Sequence, residues 1–410
     1  MFDTLYIGMS GMDAFSKGLK VISNNLANLN SPGFHSSTLQ FTDAYYMQQG
    51  ASADAGGSSG GQQALFGSGV QTLSTILDLH AGETQQVSNP LDVAISGNGY
   101  LVARDKLGAQ TYTRDGQLEF NADGDLVSTT TGKYIMGYAD GTAGGSDLSR
   151  ISLDNLRTNA AHATSSVNFT GNLTTSNGSG TTTTSPTATF AVIDGAGGQH
   201  SLVATFTRST TPAATDTWSV AITDGTTNVG SGSISFISGA PDPSADKVTF
   251  TYTPTGRAAF DVTLDFSTDV TAFDTGNLSS LTVARQDGYT AGSISKSTFD
   301  SDGKLTLTYS NGQTATGAQL ALATFETGRE LTPLGASEFT TATPASVQVG
   351  RANSGEARSI VAGENEQSNV DLSTEFSNLI VMQRGYQASS NVLSTVNDML
   401  QELFDMRGGK

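Results

Sequence analysis

The sequence predicts a multidomain protein in which the N- and C-terminal helices together form an α-helical coiled-coil domain. The middle of the chain is predicted to be all-β, with one β domain inserted in the other. Three observations predict this fold: heptad spacing of apolar residues at each end, seven Asp-Gly and three Asn-Gly pairs between the ends, and a Thr-rich stretch among those pairs. The 410 residues correspond to roughly two to three domains at about 150 residues each.

Apolar residues at intervals of seven predict the first helix, from Leu5 to Leu29. One row consists of Leu5, Met12, Leu19 and Leu26, and the second row consists of Gly8, Phe15, Ile22 and Leu29. Two such rows form the seam along which one helix packs on another. The run from Asn28 to Gly33 ends the helix, because it joins helix-breaking Pro and Gly to turn-forming Asn and Ser.

The C-terminal segment repeats this pattern in steps of four and three residues. The predicted seam consists of Leu372, Phe376, Leu379, Met382, Tyr386, Ser389, Leu393, Val396, Leu400 and Leu403. A helix over residues 369–406 is about 57 Å long at ~1.5 Å per residue. That length exceeds the usual globular helix and indicates a coiled coil. The run from Ser368 to Asp371 fits a capping box at the helix start.

Two kinds of partner are open for these seams. The two helices pair with each other as an antiparallel hairpin within one chain, or they meet the helices of other copies. Their outward faces carry few charges and otherwise present Asn, Ser, Gln, Thr and Gly. An exposed two-helix stalk is normally rich in charge. The sparse charge therefore favours additional contacts with other copies of the chain.

Between the helices, short runs with a period of two flank the Asp-Gly and Asn-Gly pairs, which predicts strands joined by tight turns. Examples are the runs Lys304–Tyr309, Leu320–Phe325 and Asp261–Phe266. The predicted domains are a helical domain over 1–33 and 366–410, an extended connector over 34–72 and 360–365, a β domain over 73–148 and 285–359, and an inserted outer β domain over 149–284.

The composition excludes several classes of function. The net charge is −18, from 20 Lys and Arg against 38 Asp and Glu, which argues against a nucleic-acid partner and against an anionic membrane surface. The chain has no Cys, so it has no disulfide framework and no thiolate-ligated metal. No segment resembles a cleavable signal peptide or a membrane helix, so no membrane insertion is expected.

No motif predicts catalysis. The four His residues lie far apart without the spacing of a metal site, and we interpret them as surface or packing residues. The run Gly8–Gly11 lacks the spacing of a nucleophile elbow, and its small residues suit a close helix contact. The runs Asn121–Asp125 and Asp300–Gly303 resemble calcium loops without the closing Glu, and we interpret them as hairpin turns. We expect no enzyme and no catalytic, cofactor-binding or metal site.

Several short motifs stand at both ends of the chain. The N-terminal motifs are Ser10-Gly11-Met12, Ser23-Asn24-Asn25-Leu26-Ala27-Asn28 and Ser31-Pro32-Gly33-Phe34. The C-terminal motifs are Gln367-Ser368-Asn369-Val370-Asp371-Leu372 and Gln383-Arg384-Gly385-Tyr386-Gln387. With the runs Pro90–Tyr100 and Tyr112–Gly116 between them, they resemble the signatures of the flagellar rod and hook protein family.

Within that family, the runs Gln286–Tyr289 and Tyr309–Gln313 resemble elements of its hook members. The matches extend over 1–145 and 285–407, whereas the segment 149–284 matches only in position and β character. His35 stands where the family usually has a basic residue. The residues carried over from the family motifs are Asn24, Asn25, Ala27, Asn28, Gly33, Phe34, Ser368, Asn369, Val370, Asp371, Gln383, Arg384 and Tyr386.

The resemblance implies a self-assembling structural subunit of the bacterial flagellar hook. This is a curved, flexible tube that links the rod to the filament and transmits motor torque as a universal joint around a central export channel. The implied partners are many copies of the chain itself, the rod, hook-cap and hook–filament junction proteins, and the flagellar type III export apparatus. The implied location is extracellular, in the flagellum, reached without a cleavable signal peptide.

Two alternatives stay open. The distal rod protein shares both termini, but it is usually shorter and lacks a large insert, so the segment 149–284 favours the hook. A secreted β-rich adhesin or carbohydrate-binding module would fit the Thr-rich insert by itself, but it does not fit the terminal motifs.

The polar surface is built largely from hydroxyl groups. The chain contains 48 Ser and 55 Thr, whereas charged residues make up only 14%. Hydroxyl and amide hydrogen bonds exchange with water at a small net energy of ~0.5–1.5 kcal/mol each, while breaking a buried ion pair costs ~3–5 kcal/mol. We hypothesise that this composition lets contacts between outer domains slide as a hook bends.

Overall fold

The computed structural model describes residues 2–44, 46–48, 65–139, 148–175, 185–209, 216–276, 278–325, 331–342, 347–353 and 359–408. Residues 49–64 of the predicted connector and the pairs Asp140-Gly141 and Asn177-Gly178 lie outside the described residues. The described chain has a helix at each end, the two helices touch, and the region between them is rich in strands. The predicted fold class is therefore confirmed.

The N-terminal helix α1 spans Phe2–Ala27 and the C-terminal helix α2 spans Leu372–Gly408, with 26 and 37 residues. Neither helix combines the length and the hydropathy that crossing a membrane requires, and the described chain has no other candidate.

The capping box predicted at Ser368 is wrong. The N-cap of α2 is Asp371, whose Oδ1 accepts the backbone N–H groups of Ser373 at 2.8 Å and Thr374 at 3.4 Å. The segment before Asp371 is held outside the helix, because the backbone N–H of Asn369 donates to the carbonyl of Phe34 at 3.2 Å.

One compact unit consists of Met1–Asp154, Ser297–Leu307 and Thr316–Lys410. Its main antiparallel sheet has the strand order Thr314–Thr324, Tyr134–Tyr138, Gly99–Arg104, Gln110–Thr113, Glu338–Thr341 and Leu331–Gly335. Further strands that pair with this sheet or with each other are Leu118–Phe120, Leu126–Ser128, Ser149–Arg150 and Gln348–Arg351. Its core contains Tyr100, Tyr112, Met136, Phe325 and Phe339.

Four antiparallel strand pairs complete this unit. They are Ser37–Asp43 with Val70–Leu77, Tyr46–Gln48 with Leu65–Gly67, Val93–Ser96 with Ser359–Ala362, and Thr84–Gln86 with Glu364–Glu366. The last two pairs position the functional site, because each joins a strand from early in the chain to one that leads into α2.

The other compact unit consists of Asn155–Lys296 and Thr308–Ala315. One of its sheets has the order Thr187–Ile193, Gln199–Arg208, Asp216–Asp224, Thr227–Ile237 and Ala240–Pro241. The second has the order Lys247–Tyr252, Phe260–Thr271, Ser166–Asn172 and Thr282–Gln286. Side chains of both sheets form one core, in which the rings of Phe169 and Phe266 stack with centroids 4.8 Å apart. The unit is thus a β sandwich.

Three strands have residues in each unit, namely Gly292–Phe299, Lys304–Tyr309 and Thr314–Thr324, and the short strand Thr158–Asn159 pairs with the first of them. The domain boundaries predicted above, including the insert over 149–284, stay a prediction. At the Asp-Gly and Asn-Gly turns that contain Gly124, Gly225, Gly303 and Gly312, the glycine has a positive φ. These four turns therefore use the backbone conformation that only glycine adopts readily. The glycines of the other described pairs, which are Gly99, Gly116, Gly195 and Gly288, do not have a positive φ.

Candidate functional site

The two terminal helices form an antiparallel hairpin with a close contact between small residues. A Cβ at Gly11 would lie 2.7 Å from Ser389 Oγ, and one at Gly18 would lie 3.0 Å from Met382 Sδ. On the other helix, a Cβ at Gly385 would lie 2.5 Å from the ring of Phe15. The glycines therefore set the distance between the helices, which confirms the interpretation of Gly8–Gly11 as a packing motif.

The hairpin covers part of the predicted seam. On α1, the side chains Leu5, Met12, Phe15, Leu19, Ile22 and Leu26 are buried or half-buried. On α2, the covered members are Leu379, Met382, Leu393, Val396 and Leu400. The members Leu372, Phe376, Tyr386 and Leu403 are exposed. Within a single chain, some members of the predicted α2 seam are therefore covered, and the other members stay exposed.

Sequence reasoning missed a second set of exposed apolar residues on α2. They are Ile380, Val381, Val392, Met399, Phe404 and Met406. Leu393 lies against Gly8, so by the antiparallel register α2 continues past the start of α1 from about Met399 onward. On that extension Phe404 is 65% exposed and Met406 is 80% exposed. A search for apolar residues at heptad spacing does not find these residues, since they lie beside the seam on the helix surface.

Beneath the hairpin lies a buried joint, which we define by Asn25, Gly33, His35, Arg114, Glu366, Asn369 and Glu375. Asn25, from the family motif, is 1% exposed and connects three segments. Its Nδ2 donates to Ser37 O at 2.9 Å and to Glu375 Oε1 at 2.8 Å, and its Oδ1 accepts from Ser37 N at 3.0 Å. One amide therefore ties α1 to the first strand and to α2.

Replacing Asn25 by Ala leaves the backbone groups of Ser37 and the carboxylate of Glu375 buried without their partners. We expect the free energy that holds the helix hairpin closed to fall by about 1–3 kcal/mol. Amide hydrogen exchange in α1 measures this opening. Asn24→Ala is the matched control, since Asn24 is exposed, and it is expected to change the value by less than about 0.5 kcal/mol. Equal effects of both variants would contradict the role of Asn25.

A buried ionic cluster forms the centre of the joint. Arg114 Nη1 donates to Glu366 Oε2 at 2.9 Å, and Arg114 Nη2 donates to the carbonyl of Gly97. His35 Nδ1 donates to the carbonyl of Asp78 at 2.6 Å, and its Nε2 lies 3.4 Å from Glu366 Oε1. His35 is thus a packing residue, as expected, and it also faces the carboxylate.

The surroundings of Glu366 favour its charged form. Burial acts to raise the pKa of this carboxyl, but His35, Arg114 and the backbone N–H of Gly82 outweigh burial and hold the pKa below its ordinary 4.5. Burial raises the pKa of Tyr100 to about 12, and the Arg114 guanidinium lies 5.0 Å from the centre of its ring. The cluster is therefore a fixed ion pair at neutral pH.

Glu366 gives this unit a defined pH dependence. Because its folded-state pKa is lowered, its stabilisation is present above the unfolded value and is lost as the pH falls through the folded value. We expect the stability difference between wild type and Glu366→Gln to shrink as the pH falls from about 7 to about 3. Urea unfolding at several pH values measures this difference, with the exposed Glu83→Gln as control. A difference that does not change with pH would contradict the assignment.

Gly33 and Asn369 join the two chain ends next to this cluster. Gly33 has a φ of +63°, and a Cβ there would lie 2.5 Å from the backbone nitrogen of Asp115. Its N–H donates to the carbonyl of Glu366 at 2.9 Å. Asn369 accepts from Ser36 N at 2.7 Å through its side chain. Both motif positions are therefore explained by contacts between the start and the end of the chain.

The remaining motif residues divide into three groups. Asn28 bonds locally, with Nδ2 donating to Asn24 O at 2.9 Å. Phe34, Ser368, Val370 and Asp371 belong to the segments that join the helices to the strands. The exposed motif side chains within the helices are Asn24, Ala27, Gln383, Arg384 and Tyr386. They are available to other molecules.

A groove of about 420 Å³ adjoins the joint, and Asn28, Phe34, Asp115, Glu338 and Phe339 are among its lining residues. Among the described residues, no three His, Asp or Glu side chains are grouped so that they could hold a metal ion. The hydrogen bonds and ion pairs of this region therefore connect the two helices to the strands.

Comparison with known proteins gives matches over most of the chain. Three family models match: "Flagella basal body rod protein" over residues 5–35, "Flagellar hook protein FlgE/F/G D1 domain" over 94–175, and "Flagellar basal body rod FlgEFG protein C-terminal" over 361–406. Each of the two chain ends and part of the β region therefore has its own match.

Several relatives match over nearly their whole length. The flagellar hook protein FlgE of Escherichia coli is 27% identical over 97% of this chain and 98% of its own. That of Salmonella typhimurium is 28% identical over the same shares, and that of Treponema pallidum is 27% identical over 99% and 100%. The crystal structure of Helicobacter pylori flagellar hook protein FlgE2 covers 67% of this chain and 98% of its own, with 14% identity and a TM-score of 0.46.

The paired terminal helices, with apolar surface left exposed above a rigid joint, define a structural subunit. The chain belongs to the flagellar rod and hook protein family, and its near full-length relatives are hook proteins. It is therefore a structural subunit of the flagellar hook, located in the flagellum, and it is not an enzyme.

Proposed function

We propose that copies of this chain assemble through α1 and α2 into a curved, flexible tube that links the rod to the filament. The helices line a central export channel, and the β units form the outer layers. The observation that carries this proposal is the exposed apolar surface of α2, from Leu372 to Met406. Removing apolar surface from water contributes roughly 25 cal/mol per Å², so contact with other copies stabilises the helices.

The symmetry of such an assembly follows from its contacts. When one patch of a subunit binds a different patch of the next, the contact repeats without closing and generates a helical polymer. The seam residues exposed in the single chain, Leu372, Phe376, Tyr386 and Leu403, are the proposed inter-subunit members. The covered members keep each hairpin together.

The wider partners are proposals of the same kind. The tube meets rod, hook-cap and hook–filament junction proteins at its two ends, and its subunits leave the cell through the flagellar type III export apparatus without a cleavable signal. Its outer contacts slide during torque transmission, because surfaces rich in Ser and Thr exchange hydrogen bonds with water at little net energy. Motion of this kind would let the polymer act as a universal joint.

Negative-stain microscopy of the purified chain after salting-out tests the assembly. We expect short curved tubes from the full chain and none from a variant that lacks residues 372–410, although its β units stay folded. Straight tubes from the full chain would favour the distal rod alternative, and the absence of tubes would contradict the proposal. Deletion of 149–284 is expected to preserve a tube and to change its curvature.

A further inference from the structure

Charged side chains divide the helix hairpin into two zones. The first, which we call the acidic end, carries Asp398, Glu402 and Asp405 on the last part of α2. The second, which we call the basic middle, carries Lys20 on α1 and Arg384 on α2. The contact of Gly18 with Met382 places Lys20 at the level of Ile380, one helical turn from Arg384. Both basic residues therefore lie within one helical turn of each other along the hairpin.

The acidic residues share one face of α2, because their spacing of four and then three residues repeats the helical turn. All three are exposed, and no ion pair joins them to another described side chain. In the sequence Arg407 and Lys410 follow them, so the end carries three acidic residues and two basic residues. The zone remains negative overall.

The basic middle carries positive charge that no ion pair of the described residues neutralises. Lys20 and Arg384 are exposed, and no ion pair or hydrogen bond of the described residues engages either side chain. The nearby Lys17 differs, because it pairs with Asp13 at 2.7 Å. Two free cations thus remain on this level of the hairpin.

Apolar side chains flank both zones. Met399, Leu403 and Met406 follow the acidic residues at the same spacing, one position along the chain. Ile380 and Val381 lie within one turn of Arg384 and are also exposed. Each zone therefore combines apolar surface with charge of one sign, which is the composition of a specific contact surface.

The two zones cannot meet within one chain. Arg384 and Glu402 are 18 positions apart on one continuous helix, which separates them by about 27 Å at ~1.5 Å per residue. We propose that the acidic end of one copy docks on the basic middle of a second copy, shifted by this distance along the helix axis. The inference rests on the proposed assembly function and assigns the register of its helix contact.

Charge reversal with rescue tests this register. One variant reverses the acidic end (Asp398→Lys, Glu402→Lys), a second reverses the basic middle (Lys20→Glu, Arg384→Glu), and a third combines all four changes. Each full-length protein is added to sheared polymer seeds, which are made either from wild type or from the same variant. The salt concentration is about 0.15 M, where the Debye length is ~8 Å. Sedimentation gives the critical concentration for assembly.

We expect each two-residue reversal to raise the critical concentration about tenfold on seeds of its own kind, and the four-residue variant to return near the wild-type value. The control is Glu83→Lys with Glu119→Lys, which changes two exposed residues outside the helices and matches the net charge change of the acidic-end variant. Unchanged critical concentrations in the reversed variants, or a four-residue variant worse than either parent, would overturn the register. Failure of the wild-type chain to assemble at all would instead overturn the proposed function.

Discussion

Arg114→Ala lowers the free energy of unfolding of the unit that carries both helices by about 3–5 kcal/mol, because it leaves the Glu366 carboxylate buried without its charge partner. Arg114 is fully buried, bonds Glu366 and the carbonyl of Gly97, and lies over the ring of Tyr100. A loss of this size is a large fraction of the stability of a typical domain. Amide hydrogen exchange in the strand Gly99–Arg104 reports the change directly.

Two companion variants separate charge from packing. Arg150→Ala removes a half-exposed guanidinium that lies 3.8 Å from Asp125, and it is expected to cost less than about 1 kcal/mol. Adding Glu366→Gln to Arg114→Ala is expected to recover part of the loss, since the buried group then carries no charge. If the double variant is as unstable as the sum of the single variants, the effect of Arg114 is packing alone.

Leu393→Asp is expected to abolish tube formation while the β units stay folded. Leu393 is half-buried against Gly8 at the helix contact, and a carboxylate there loses its hydration without gaining a partner. The penalty of several kcal/mol opens the hairpin, so the yield of sedimented polymer falls by more than about tenfold. Far-UV circular dichroism on the same sample measures the accompanying loss of helix.

The neighbouring Ser394→Asp provides the control. It introduces the same charge one position further along α2, at an exposed side chain, and it leaves the hairpin closed. Helix content is therefore expected to match wild type in this variant. Tubes that form normally from Leu393→Asp would refute the assignment of Leu393 to the helix contact.

The sequence predicted the local elements well, because their signals are local. Rows of apolar residues at intervals of seven, the Asp-Gly pairs and the alternating runs depend only on the backbone period of each element. The predicted run Lys304–Tyr309 is an observed strand with the same limits. The terminal motifs also sufficed to suggest the family before any contact was known.

The exception at the start of α2 illustrates the limit. Ser368 has the local pattern of a cap, yet the N-cap is three residues later, at Asp371, because the chain before it is bonded to residues near the other terminus. A pattern in four residues cannot include a hydrogen bond to Phe34. The same limit applies to Asn25 and Glu375, which meet across 350 positions of sequence.

The sequence by itself determined that both ends are helical, that the middle is β, and that the ends carry apolar seams. Only the tertiary structure decided which part of the α2 seam is covered by α1 and which part stays exposed, since a heptad row marks a stripe without naming its partner. The tertiary structure also decided that Arg114 and Glu366 form a buried pair, because pairing depends on which distant strands the fold brings together. The physical reason is common to both: period and propensity act over a few residues, whereas burial depends on what the rest of the chain places nearby.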